Sequence, residues 1–318
     1  MKKIIAMMMV LCMALSLASC AAAEEAVNVY ALKGPTGIGL VKVMNDNDGA
    51  YNFTLAGAPD EVVAAVASGN ADIACVPTNL AATLNKKTEG KVQLVALNTL
   101  GVLHIVTSNP EINTLEDLKG KTLWATGQGS TPEYVVNYIL EANGLADDIT
   151  VEYKAEHAEL ATLAASGAVD VALLPEPHVT SVLNQNKDFR IAMDVTELFN
   201  QAAAGKGETA VLSMGCVIVN KEWAANNADK LATFMDAYAA SVEFVNTNVD
   251  EASQMVEAQG IIPKAAVAKK AIPNCHIVFI TGEEMKTQIA PFFQVLYNAN
   301  PKSVGGEVPG EDFYYIAK

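Results

Sequence analysis

Short apolar runs alternate with amphipathic stretches along most of this chain. Runs at 27–32, 51–56, 71–76, 92–98, 101–107, 122–126, 150–154, 169–174, 191–195 and 215–220 have the length, composition and bounding turn residues of β-strands. Stretches at 37–45, 59–68, 115–119, 131–143 and 158–165 carry apolar residues three and four apart, the spacing of one helix face. Strands taking turns with helices imply parallel sheets covered on both faces, so the predicted class is α/β. In GQGSTPEYVVNYILEANG the helix ends are explicit: Ser130 or Thr131 can cap, Pro132 suits the first turn, Glu133 completes a capping box with Ser130, and Gly144 suits the stop. Past 220 the pattern turns helical. Leu231, Phe234, Met235, Tyr238, Val242 and Val245 stripe one face of 223–246, and shorter helices are expected near 250–259 and 283–297, before a Pro, Gly and Ser loop at 300–310.

The pattern also repeats. Windows 61–77 and 159–175, 98 positions apart, share Glu, Ala, Ser, Gly, Asp, Ala and Pro, seven identities in 17. Each copy reads as a helix stopped by Gly69 or Gly167, a turn carrying Asp72 or Asp170, a buried strand, and Pro77 or Pro175 closing it. A strand entering KGPTG precedes the first copy and a strand entering GQGST the second, which predicts two doubly wound lobes of like topology.

Composition narrows this picture. Lys2 and Lys3 precede an apolar run, 4–17, too short for an ordinary membrane span and built like a secretory signal. Leu17-Ala18-Ser19-Cys20 resembles the lipobox of bacterial lipoproteins, which implies a signal peptide at 1–19 and lipid on Cys20. The formal charge of −15 is spread over scattered acidic residues with no basic patch, which argues against nucleic acid as a partner. Cys75, Cys216 and Cys275 allow at most one disulfide, and the apolar runs around Cys75 and Cys216 suit small buried hydrophobes. No CxxC occurs and no histidine has a second ligand at metal spacing, so neither a metal nor another cofactor is expected.

In open parallel sheets, ligands sit beyond the carboxyl ends of strands, where loops lead into helices. Here those loops are 33–37 and 77–79 in one copy, and 127–131 and 175–178 in the other. If the lobes face one another, all four line one cleft. From NVYALKGPTGIGLVKVM through SGNADIACVP, NTLEDLKGKTLWATGQGSTPE, SGAVDVALLPEP and MGCVIVNKEWAANNADKL, the chain resembles the bacterial extracytoplasmic solute-binding proteins of ABC importers. The likeness is to the branch for nitrate, sulfonates, taurine and thiamine-precursor pyrimidines. It implies a type II periplasmic-binding-protein fold, two lobes joined by two crossover strands and closing around a solute. The expected layout is 26–105 for the first part of lobe 1, 106–213 for lobe 2 and 214–318 for the return and C-terminal helices, with crossings near 104–108 and 214–219.

The chemistry expected in the cleft is mostly uncharged. Gly34, Gly37, Gly127 and Gly129 let a solute approach backbone N–H groups, Pro35 lies in the first of these turns, and Thr36, Ser130 and Thr131 add hydroxyls. Thr78, Asn79 and Gln128 offer donors and acceptors, and His104 lies on an expected crossing strand. Lys33 is the one cation in these loops, and the single arginine, Arg190, is outside them, which disfavours a strongly anionic solute. Glu176 and His178 in PEPH are the sharper candidates, since the resembling family often carries Glu-Pro here and a carboxylate accepts from an amine or ring N–H. The expected function is therefore capture of a small polar or heteroaromatic solute by a monomeric protein, for delivery to an ABC permease and its ATPase. The alternatives are a ligand-sensing partner of a membrane receptor, using the same closure, and an exported enzyme on this scaffold. The last lacks G-x-S-x-G and HExxH, leaving Glu176 and His178 as its only acid–imidazole pair.

Overall fold

The computed structural model describes residues 25–316. The signal segment, Cys20 and the last two residues lie outside this range. In chain order the strands are β1 (Val27–Leu32), β2 (Tyr51–Ala56), β3 (Ile73–Pro77), β4 (Val92–Leu100), β5 (Leu103–Thr107), β6 (Thr122–Thr126), β7 (Thr150–Lys154), β8 (Val171–Pro175), β9 (Arg190–Asp194), β10 (Ser213–Asn220) and β11 (Ile277–Thr281). The helices are α1 (Pro35–Ile38), α2 (Val41–Asn45), α3 (Pro59–Ser68), α4 (Thr78–Lys87), α5 (Thr131–Ala142), α6 (His157–Ala165) and α7 (His178–Gln185). They continue with α8 (Val195–Gly205), α9 (Lys221–Asn226), α10 (Ala228–Thr247), α11 (Val249–Ala258), α12 (Ala265–Ala271) and α13 (Gly282–Ala299).

Two sheets result, one of six strands ordered β11-β4-β10-β3-β1-β2 and one of five ordered β7-β6-β8-β5-β9. Read from the other edge, the first sheet runs β2-β1-β3-β10-β4, which is the second sheet's order with each strand replaced by its counterpart. The sequence repeat falls on equivalent pieces: α3 and β3 in one sheet, α6 and β8 in the other. Gly69 and Gly167 hold φ of 77° and 75° at the ends of these helices, the left-handed turn that favours glycine. Asp72 then fastens the entry to β3 by accepting from the Asn28 backbone N–H at 2.8 Å.

In each sheet the strand that has just crossed from the other runs against its neighbours, and in the first sheet the edge strand β11 also runs antiparallel to β4. β10 pairs antiparallel with β3 and β4, and β5 pairs antiparallel with β8 and β9. The directions therefore place the ends of β1, β3 and β4 with the start of β10 on one rim. The ends of β6, β7, β8 and β9 share a second rim with the start of β5. Only Gly101 and Val102 separate β4 from β5, so chain geometry alone holds the two rims within about 10 Å of each other. This crossing precedes the expected 104–108 by a few residues. The return runs through α8 and 206–212 and is complete before β10 begins at Ser213. At Gly101 a Cβ would lie 2.0 Å from Thr196 Oγ1, so the first crossing passes too close to α8 for any side chain.

Three hydrophobic clusters are found among the described residues. One lies under α2, α10, α11 and α12 on the first sheet and another under α6 and α7 on the second. The largest spans both lobes, through Tyr138 on α5, Phe199 on α8 and Phe292 on α13, with ring centroids 5.4 and 5.7 Å apart. The helix expected at 37–45 is instead α1 and α2, separated at Gly39 and Leu40, and the stripe at 223–246 is carried mainly by α10, which begins after a break at Asn227.

Candidate functional site

On the first rim, Gly34 takes φ 95° between β1 and α1, a conformation open to glycine. Lys33 is exposed and Pro35 half-buried, while Thr36 is turned back, its hydroxyl donating to the Leu32 carbonyl at 3.2 Å. A Cβ on Gly37 would lie 2.6 Å from that same carbonyl, so the missing side chain there serves the turn itself. Thr78 and Asn79 open α4 and are fully buried. Thr78 Oγ1 shares a 2.9 Å hydrogen bond with Ser213 Oγ, and Asn79 donates to the Ser303 carbonyl at 3.3 Å.

On the second rim, Gln128 and Gly129 are exposed at the tip of the loop leaving β6. The expected capping box is shifted by one residue: the Glu133 carboxylate accepts from the Gly129 N–H, while Ser130 Oγ donates to the Gly127 carbonyl at 2.8 Å. Thr131, buried at the start of α5, donates through Oγ1 to Asn79 Oδ1 at 3.0 Å. That bond joins the start of α4 in one lobe to the start of α5 in the other.

Glu176 is 1 % exposed and its two oxygens accept from the backbone N–H and the hydroxyl of Thr180, both at 3.0 Å. Burial raises its pKa against those bonds. The carboxylate thus caps α7, the helix it precedes. His178 packs against His157, the rings tilted at 41° with centroids 5.4 Å apart. Burial pushes both imidazoles down to about 4, so both are neutral near pH 7. His104, at the start of β5, sits 4.0 Å from Asp194 and has no hydrogen-bond partner at Nδ1. Burial lowers its pKa more than Asp194 raises it.

The structure therefore gathers Lys33, Gly34, Pro35, Thr36 and Gly37 with Thr78 and Asn79 on one rim, and Gln128, Gly129, Ser130, Thr131, Glu176 and His178 on the other, with His104 beside the crossing. It adds residues the pattern did not single out. His157 occupies the same place as Pro59 in the repeat, at a helix start on the rim, which the repeat itself could have indicated. Asn98 and Thr99, a polar pair ending the apolar run of β4, are buried beside Thr36 and Gly215. Glu176 and His178 do not form an acid–base pair, and among the described residues no three His, Cys, Asp or Glu groups cluster to hold a metal. Cys75, Cys216 and Cys275 are free, buried thiols.

Two like α/β lobes meeting rim to rim, with loop-to-helix junctions in the gap, define the bilobal solute-binding class. A family model described as the periplasmic substrate-binding protein of a phosphonate ABC transporter matches residues 50–272, and the chain belongs to this ABC substrate-binding family. No curated protein matches the chain significantly. Among solved structures, an ABC transporter protein from Parabacteroides distasonis is similar at 24% identity, covering 92% of this chain and 99% of that one, with a TM-score of 0.78. The aliphatic sulphonate binding protein SsuA from Escherichia coli shares 17% identity over 93% and 94% of the two chains, TM-score 0.72. The nitrate-binding protein NrtA from Synechocystis shares 14% over 91% and 83%, TM-score 0.58. At these identities the structures establish the type II periplasmic-binding-protein fold. The family consists of binding proteins rather than enzymes, acts outside the cytoplasm, and serves a small-molecule ligand and a membrane permease. No described helix is long and apolar enough to cross a membrane.

Proposed function

We propose that this chain captures a small polar or heteroaromatic solute, of the sulfonate, nitrate or pyrimidine type, between its two rims and delivers it to a permease driven by an ATPase. Closure of the lobes traps the solute, and the protein works as a monomer held at the membrane by lipid on Cys20, several acyl chains making such an anchor stable where one is marginal. The division at 26–105, 106–213 and 214–318 describes the moving parts to within a few residues. What supports this reading is the Asn79–Thr131 bond between helix starts of the two lobes, beside a connection of only two residues.

The test screens the exported chain by thermal shift against sulfonates, nitrate, phosphonates, pyrimidines, purines and amino acids, followed by small-angle scattering with each hit. Binding raises the melting temperature by mass action, without turnover, and contracts the particle. A screen without a single stabilising solute, or hits that leave the scattering profile unchanged, would remove solute capture by closure.

A further inference from the structure

Two histidines meet over the ends of three neighbouring strands on the second rim. His157 opens α6 after β7, His178 opens α7 after β8, and Thr126 ends β6 between them. Thr126 Oγ1 lies 2.5 Å from His157 Nδ1, which fixes that ring, and both histidines are partly rather than fully buried. Each stands in the positively polarised first turn of its helix, where a protonated imidazole is disfavoured, in keeping with the low pKa of both. A neutral imidazole carries one N–H donor and one acceptor nitrogen on an aromatic ring. Two of them, tilted at 41°, present edges and faces suited to a planar heterocycle bearing its own donors and acceptors. A metal ion suits the place poorly, since its charge would face two helix N-termini.

The charges nearby point the same way. The Gly129 N–H that an oxyanion would take is already given to Glu133. Arg190 donates to the carbonyls of Asn109, Pro110 and Ile112, away from both rims. Lys154, at the end of β7, lies over the Trp124 ring and 3.7 Å from Glu159. An oxyanion entering the 127–131 loop would meet the Glu133 carboxylate at close range.

We propose that His157 and His178 form the second rim's subsite for an uncharged heteroaromatic ring of the pyrimidine or purine kind, and that Glu133 keeps oxyanions out of the adjoining loop. This rests on the solute-capture reading and narrows it. The experiment is calorimetric titration of the exported chain with uracil, cytosine, adenine and hypoxanthine, beside methylphosphonate, methanesulfonate and nitrate. It is repeated on His157→Gln, His178→Gln and Glu133→Gln. At least one base binds the parent chain, the two histidine variants each weaken it about tenfold, the loss expected for one good hydrogen bond and its ring contact, and Glu133→Gln admits an oxyanion. If a glutamine variant melts below the assay temperature, the corresponding His→Phe variant, which keeps an aromatic ring, is measured in its place. Binding of oxyanions alone by the parent chain, or base affinity unchanged in both histidine variants, overturns the ring subsite while leaving solute capture standing. Persistent rejection of oxyanions by Glu133→Gln overturns the role of Glu133. No binding by any probe of either kind overturns the subsite, and solute capture falls only if the wider thermal screen is also blank.

Discussion

Gly215 shows how one position ties packing to the site. A Cβ there would lie 2.6 Å from Asn98 Oδ1 and 2.6 Å from Thr36 Cγ2, both buried at the first rim. Gly215→Ala is expected to cost about 1–3 kcal/mol, the usual range for overpacking, read as a lower urea midpoint. Titratable residues give a second prediction, with a sign fixed by linkage. An unfolded histidine titrates near 6.5, whereas folded His157 and His178 titrate near 4. Between those values the unfolded chain binds more protons, so stability falls as pH drops through the window and the loss is complete below it. His104, also lowered, adds to this. Glu176, raised above 4.5, acts in the opposite sense, as one site against three. The parent chain should melt at a lower temperature at pH 5 than at pH 7, and His157→Gln with His178→Gln should shrink that difference. An equal difference in both chains would mean that other groups carry it.

At the scale of elements, the strands and the repeat were legible because buried strands are short apolar runs bounded by Gly and Pro, and a duplicated topology writes its turns twice. Helices α4, α7, α8 and α12 and strand β11 were not. α4 (TNLAATLNKK) and α7 (HVTSVLNQ) are short and open on polar residues that read equally well as loop, and their helicity comes from docking on a sheet. The site loops were legible as strand ends, yet their internal bonds were not. Whether Glu176 faces a solute or its own helix depends on Thr180, four residues on, and on burial that no local pattern reports. Its observed partners predict a structural effect. Glu176→Ala strands the Thr180 N–H and hydroxyl in a buried place and should cost about 1–3 kcal/mol. Glu176→Gln keeps an acceptor and should cost distinctly less. Urea unfolding of both variants checks the order, and equal losses would show that α7 does not depend on this cap.

At the scale of the whole molecule, the lobes are joined in two different ways, and the contrast indicates where motion can occur. On the α5, α8 and α13 side, Tyr138, Phe199 and Phe292 make a continuous apolar core that cannot part without exposing large aromatic surface. Across the rims, the link between site loops is polar and slight, with Thr131 Oγ1 on Asn79 Oδ1 at its centre. Under the proposed closure, opening should therefore pivot on the aromatic side and break the rim bond first. Thr131→Val tests this, since it removes the donor while nearly keeping the volume, and Asn79 retains its bond to Ser303. A buried neutral hydrogen bond contributes about 1 kcal/mol net, so its loss should shift the ligand-free balance about fivefold toward the open form. Fluorescent labels placed on the exposed Gln128 and Lys33 would report that shift as a longer mean separation, with no large change in melting temperature. The same separation in both chains would mean that the rim bond does not set the balance and that other contacts between the lobes, such as the aromatic core and the Lys270–Asn184 hydrogen bond, do.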